Sequence, residues 1–188
     1  IERGLVGSGV PLRSSCQRAF DAAASDLARV QGDAAGQVAA AMAIVVGGDE
    51  RARLTQPATA DGPAFDLYLR GQAAWGRGAG ADPLSLRRAS ALFEQALARD
   101  STLVDAWSAL ARAQSQLYRG FRQDPATAAR AREAVERARA LAPGSAPALR
   151  AEAAYLRLVA SDNAAVVDLV TRAGPSAAGD ATLLTLLA

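Results

Sequence analysis

Apolar residues recur at helical spacing through most of this 188-residue chain, with alanine at many of the positions between them. In residues 21–46, for example, Leu27 and Val38 fall on one face of a helix. Residues 1–20 differ, because two short apolar runs flank Gly7-Ser8-Gly9, which is typical of a small hairpin. The pattern therefore predicts a mainly α protein with a small α/β segment, a hairpin plus a helix, at its N-terminal end.

Glycine, proline and charged residues concentrate between positions 49 and 63, which is the composition of a linker. This stretch divides the chain into three predicted regions: an α/β module over residues 1–48, a linker over 49–63, and a helical region over 64–188.

The helical region repeats itself. Asp82-Pro83 recurs as Asp124-Pro125, an offset of 42, and the same offset aligns Phe65 with Trp107. Aspartate is a good helix N-cap and proline suits the first helical turn, so each Asp-Pro pair is predicted to open the second helix of a unit. The spacing predicts three units of two antiparallel helices each, followed by the start of a fourth near Leu184.

This repeat resembles the tetratricopeptide family. Trp107-x2-Leu110-Ala111, Ala131-x3-Val135 and Pro143 match the large, small and proline positions of that pattern. The resemblance implies an α-α superhelix whose units bind partners and carry no catalytic residues. The offset of 42 exceeds the usual period of about 34 residues, and the extra residues are expected in long loops near 76–82 and 118–124.

A narrower resemblance covers most of the chain. The runs Ala64-Phe-Asp-Leu-Tyr-Leu-Arg-Gly71 and Ala91-Leu-Phe-Glu-Gln-Ala-Leu97, together with Phe20-Asp21, are similar to bacterial regulators in which a TolB-like module precedes tetratricopeptide repeats. In those proteins the pair is fused to a serine/threonine protein kinase, an adenylate cyclase or a transcriptional activator. The resemblance implies a protein-protein interaction scaffold within a larger bacterial signalling protein. The alternative it leaves open is a ligand-sensing regulatory domain attached to a kinase or cyclase.

Candidate binding residues follow from the helix register. If Phe65, Trp107 and Leu149 face the core, residues one, two and five positions further along point towards a concave groove, and Gln116 and Arg157 follow a turn or two beyond. The groove is then predicted to contain Asp66, Arg70, Ser108, Arg112, Gln116, Arg150 and Arg157. Several guanidinium groups on one face suit an acidic peptide or a peptide C-terminus. The competing interpretation is that these arginines are solvated and pair with nearby acids such as Glu152.

Composition excludes several classes of chemistry. All 21 basic residues are arginine, there is no histidine or lysine, and Cys16 is the one cysteine. An imidazole base, a Schiff-base lysine and a Cys/His zinc site are therefore absent from the sequence, and we expect no catalytic, cofactor or metal site. The net charge of +2 is too small for a nucleic-acid footprint, and the arginines over 130–139 alternate with glutamates, which is typical of a solvated helix face.

No stretch has the length of a membrane span. The longest uncharged run, 34–48, is shorter than the roughly 20 apolar residues a spanning helix needs. We therefore expect no membrane contact within this segment and a cytoplasmic location. A periplasmic location is the alternative if the parent protein carries a transmembrane helix upstream, and the oligomeric state is left open.

Overall fold

The computed structural model describes residues 59–76, 82–121 and 123–174, together with Asp180 and Leu183. These residues form six α-helices and no strand, which confirms the mainly α class. The helices are α1 (Gly62–Gly76), α2 (Pro83–Arg99), α3 (Val104–Gly120), α4 (Pro125–Leu141), α5 (Ala146–Leu158) and α6 (Asn163–Ala173). The predicted α/β module, most of the linker and almost all of the predicted fourth unit lie outside the described residues.

The two Asp-Pro pairs open helices as predicted. The carboxylate of Asp82 accepts hydrogen bonds from the backbone N–H groups of Leu84 and Ser85, and that of Asp124 accepts from Thr127 N. A proline stands in the first turn of both helices, where its missing N–H leaves no intrahelical bond unmade. Since α2 and α4 are both 17 residues long, the same local signal produces the same element at both positions of the repeat.

Each helix packs against the next one along the chain, and α3 also packs against α5. Residues 100–103, 121–124, 142–145 and 159–162 connect successive helices from α2 to α6. Packed helices joined by such short connections run in opposite directions, so the described chain is a series of helical hairpins.

The long loop expected near 118–124 is absent, and that prediction was wrong. Helix α3 continues to Gly120 and is 17 residues long, which leaves only residues 121–124 before α4. The residues beyond the usual period therefore lengthen the helices, by about one turn each. Helical extension keeps the backbone N–H and C=O groups paired within the helix, whereas a long loop would leave them to solvent. In the first unit, residues 77–81 lie outside the described residues.

The main hydrophobic core lies between α2, α3 and α4 and is rich in small side chains. Phe93, Leu86 and Leu103 are its largest fully buried residues, and alanines such as Ala96 and Ala111 fill much of the rest. Small side chains let helix backbones approach closely, and the few large ones occupy the remaining volume.

The predicted core position of Trp107 needs correction. Phe65 and Leu149 are buried, but Trp107 is only half-buried and packs at the edge of the core. Its indole Nε1 donates a hydrogen bond to the carbonyl oxygen of Ser101, 2.8 Å away. An indole carries a donor that needs an acceptor, and an acceptor is available at this edge and not in the apolar interior.

A second, smaller apolar cluster lies at the other end of the described chain. Leu149 and Ala153 of α5 pack there with Val166 and Leu169 of α6 and with Leu183, which is fully buried. This cluster fixes the position of Leu183, and with it Asp180, beside α5.

Candidate peptide-binding face

Polar side chains of α1, α3 and α5 meet on one side of the molecule. We call this the first-helix face and define it by Tyr68, Gln72 and Trp75 of α1, Asp105 and Arg112 of α3, and Arg150 of α5. Spacings of four and three positions on α1, and of seven positions on α3, place the residues of each of these helices on one side of it. Side-chain contacts and electrostatic interactions link the three sets.

Arg112 lies over an aromatic ring. Its guanidinium carbon is 4.8 Å from the centre of the Trp75 ring, the geometry of a cation–π contact. The side chain is half-buried, and burial together with the nearby positive charge of Arg150 lowers the pKa of Arg112. Of the carboxylates in the described residues, none lies within salt-bridge distance of this guanidinium. Arg112 is thus a partly desolvated cation that pairs with no described acid.

Arg150 has two acidic neighbours. Its guanidinium lies 3.6 Å from Asp105 Oδ1 and 3.3 Å from Asp180 Oδ2. Its Nε is buried and has no hydrogen-bond partner among the described residues. Burial raises the pKa of Asp105, and the adjacent Arg150 charge opposes that shift.

Tyr68 presents an unused donor. The side-chain amide of Gln72 donates a hydrogen bond to the Tyr68 hydroxyl oxygen, 2.8 Å away, so the hydroxyl acts as the acceptor in this bond. Its own hydrogen has no acceptor among the described residues. Burial raises the pKa of Tyr68 and the nearby Asp105 charge raises it further, so the phenol keeps its proton at neutral pH.

Two donor groups of the first-helix face have no acceptor among the described residues, namely the Tyr68 hydroxyl and the Arg112 guanidinium. Arg150 Nε also lacks a described partner, but it is buried and closed to a ligand. A bound anion supplies acceptors and negative charge together, and charge-assisted hydrogen bonds to guanidinium groups are among the stronger kinds. The arrangement suits a carboxylate-bearing ligand better than a cation or an apolar one.

Of the residues of α3 and α5 that were predicted to line the groove, only Ser108 is closed to a ligand. Arg112 and Gln116 lie one turn apart on the side of α3 that carries the first-helix face, and Arg150 and Arg157 lie two turns apart on one side of α5. Ser108 is buried, and its hydroxyl donates to the carbonyl oxygen of Pro147 at 2.6 Å. Ser108 therefore joins α3 to the start of α5 and is closed to a ligand.

The α1 residues predicted for the groove lie elsewhere. Asp66 and Arg70 form an exposed pair, with 3.7 Å between Arg70 NH1 and Asp66 Oδ2. Both stand about 200° around the helix from Tyr68, which is close to the opposite side. Arg70 lines a separate cleft of about 540 Å³ between α1 and α2, with Arg88 and Leu92.

Arg70 and Arg112 are equivalent positions of the repeat, but their described contacts differ. Arg112 lies over Trp75 of the preceding helix pair, whereas Arg70 pairs with Asp66 on its own helix.

Several residues of the face were missed by the sequence reasoning. Trp75, which was not among the predicted groove residues, packs against Phe93, with ring centres 6.4 Å apart, and lies beneath Arg112. The spacing of Tyr68, Gln72 and Trp75 was a usable signal. No sequence signal pointed to Asp180, which lies 30 positions beyond Arg150 and outside the described helices.

The arginines of α4 are exposed, as expected for a solvated face. Arg132 Nε lies 3.8 Å from Glu136, and Arg139 Nε lies 3.5 Å from Glu152 of α5. Acidic neighbours thus balance part of the positive charge on this helix.

No family model, curated protein or solved structure matches this chain. Within the described ranges, no helix combines the length and hydropathy needed to cross a bilayer. The same residues contain no group of three or more histidine, cysteine, aspartate or glutamate side chains suited to hold a metal ion.

Proposed function

We propose that this chain is a protein-protein interaction scaffold of the tetratricopeptide type, which binds an acidic segment of a partner protein on the first-helix face. Two features support the repeat assignment: helices α2 and α4 begin with the same Asp-Pro cap at equivalent positions of the repeat, and the connections after α2 are uniformly short. In such arrays the first helix of every unit lines a common concave surface. Tyr68, Arg112 and Arg150 belong to α1, α3 and α5, the first helices of the three proposed units.

The observation that carries the proposal is the state of Arg112. A half-buried guanidinium that stacks on Trp75 and has no described carboxylate within salt-bridge distance has lost hydration without gaining a direct ion pair. A carboxylate from a ligand restores that balance, and Trp75 and the Tyr68 hydroxyl supply an aromatic surface and a further donor beside it. Arg150 is less available, because Asp105 and Asp180 already neutralise it.

The proposed setting is the one implied by the resemblance to bacterial regulators. The segment acts by binding, without catalysis of its own, within a larger cytoplasmic signalling protein that carries a kinase or cyclase domain. Its role there is to bring an acidic partner to the catalytic domain.

Arg112→Ala should weaken binding of an acidic peptide at least tenfold, because it removes the guanidinium that lacks an acidic partner. A suitable probe is an acetylated and amidated peptide of glycine and serine with three glutamates, titrated by calorimetry. We expect micromolar affinity for the wild type, and a weaker interaction as salt rises, since exposed charges are screened over about 8 Å at physiological ionic strength.

Arg70→Ala is the matched control, because Arg70 is an arginine on the other side of α1 and already pairs with Asp66. This variant should bind like the wild type. Equal losses in both variants would point to a general charge effect, and absence of binding by the wild type would refute the proposed function.

A further inference from the structure

We infer that Asp180 makes the first-helix face selective for carboxylates over phosphate groups, an inference that rests on the proposed function. Asp180 places a negative charge beside Arg150, the second arginine of the face. The face thereby favours ligand groups that carry a single negative charge, such as carboxylates.

Two of the described contacts of Asp180 hold it in this position. One carboxylate oxygen, Oδ2, lies 3.3 Å from the Arg150 guanidinium, and the other, Oδ1, accepts a hydrogen bond from Leu183 N at 3.1 Å. The side chain is only 10% exposed, and Leu183 is fully buried against Leu149 and Leu169. The apolar contact of Leu183 and the ionic contact of Asp180 therefore hold these two residues beside α5.

Asp180, beside the first-helix face, completes a group of four described charges that cancel. Arg112 and Arg150 are positive, and Asp105 and Asp180 are negative. Asp180 also interacts with Arg112, because its charge opposes the fall in the pKa of that arginine. An incoming anion thus meets a local cation, Arg112, within a group of four described charges that sum to zero.

This cancellation of charge favours singly charged ligand groups over doubly charged ones. The cost of removing an ion from water rises with the square of its charge, whereas its attraction to the face rises only in proportion to the charge. A phosphoserine group carries nearly two charges above its second pKa of about 6. A face without net positive charge therefore binds a carboxylate more readily than a phosphate dianion.

Asp180→Asn isolates the charge of this residue. The asparagine amide oxygen can still accept from Leu183 N, so the local hydrogen bond is kept while the negative charge is lost. Asp162→Asn is the matched control, since Asp162 caps α6 through Ala165 N in the same way and is exposed. Thermal midpoints of both variants report whether the fold is retained.

The probes are the three-glutamate peptide and the same peptide with phosphoserine at the central glutamate, both titrated at pH 8. Removing one unit charge about 7 Å from the ligand, at an effective dielectric constant of about 50, should raise affinity for the glutamate peptide roughly fivefold. Because the energy scales with ligand charge, affinity for the phosphoserine peptide should rise by up to the square of that factor, about 25-fold. The wild type should prefer the glutamate peptide, and Asp162→Asn should behave like the wild type.

The two proposals fail in different ways. If the wild type binds the glutamate peptide but Asp180→Asn changes neither affinity, or changes both by the same factor, the inference about Asp180 is wrong and the proposed function stands. A wild type that prefers the phosphoserine peptide also refutes it. If the wild type binds neither peptide, the proposed function itself fails, and the inference fails with it.

Discussion

Phe93→Ala should lower the free energy of unfolding by about 3–5 kcal/mol, the usual cost of removing a large buried aromatic side chain. Phe93 is fully buried, and its ring contacts the rings of Tyr68 and Trp75, with centres 6.0 and 6.4 Å away. Truncation leaves a cavity between α1 and α2 and removes the support beneath Trp75. The free energy should be measured by urea unfolding monitored by circular dichroism.

Leu84→Ala on the same helix is the control, since Leu84 is 74% exposed and its loss should cost under about 0.5 kcal/mol. Trp107→Ala should cost less than Phe93→Ala, because Trp107 is only half-buried at the edge of the core. If Trp107→Ala is the more damaging of the two, the core has been placed wrongly.

Gly71→Ala should destabilise the protein by about 2 kcal/mol, even though alanine favours a helix over glycine by about 1 kcal/mol. A Cβ at position 71 would lie 2.7 Å from Phe93 Cδ1 and would also overlap Phe93 Cε1. The ring is enclosed on its other sides by Tyr68 and Trp75, so it cannot move away freely, and overpacking of this kind typically costs about 1–3 kcal/mol. Urea unfolding of the variant and the wild type measures the difference.

Gly120→Ala separates the steric effect from helix propensity. Gly120 is the last residue of α3, and a Cβ there would meet no atom within 4 Å. The substitution should be neutral or stabilise by a few tenths of a kcal/mol. Similar changes in the urea midpoint for both glycine variants would contradict the close approach of Phe93 to α1.

The sequence predicted correctly those features that depend on residues close together in the chain. The Asp-Pro pairs predicted helix starts correctly, because a cap depends on the aspartate side chain and the N–H groups two or three residues later. The helical class followed from apolar spacing for the same reason. The repeat offset also predicted equivalent helices, although not that the extra residues would lengthen them.

The residues of the candidate face are brought together by contacts between helices. Because these residues lie far apart in the sequence, a local sequence pattern does not reveal that they are neighbours. Arg112 was predicted for the groove, but its partner Trp75 lies 37 positions earlier, and Asp180 lies 30 positions after Arg150. Arg70, predicted for the groove from the repeat offset, lies on the side of α1 away from Tyr68, in the cleft with Arg88 and Leu92. The offset identifies equivalent positions of the repeat but not their contacts with other helices.

Binding of an acidic ligand on the first-helix face is tested most directly by NMR of the indole N–H groups. The chain contains two tryptophans, Trp75 beneath Arg112 and Trp107 at the edge of the core. On titration with the three-glutamate peptide, the Trp75 indole signal should shift progressively while the Trp107 signal stays in place. A shift of the Trp107 signal alone, or of neither signal in the presence of measurable binding, would show that the peptide binds elsewhere.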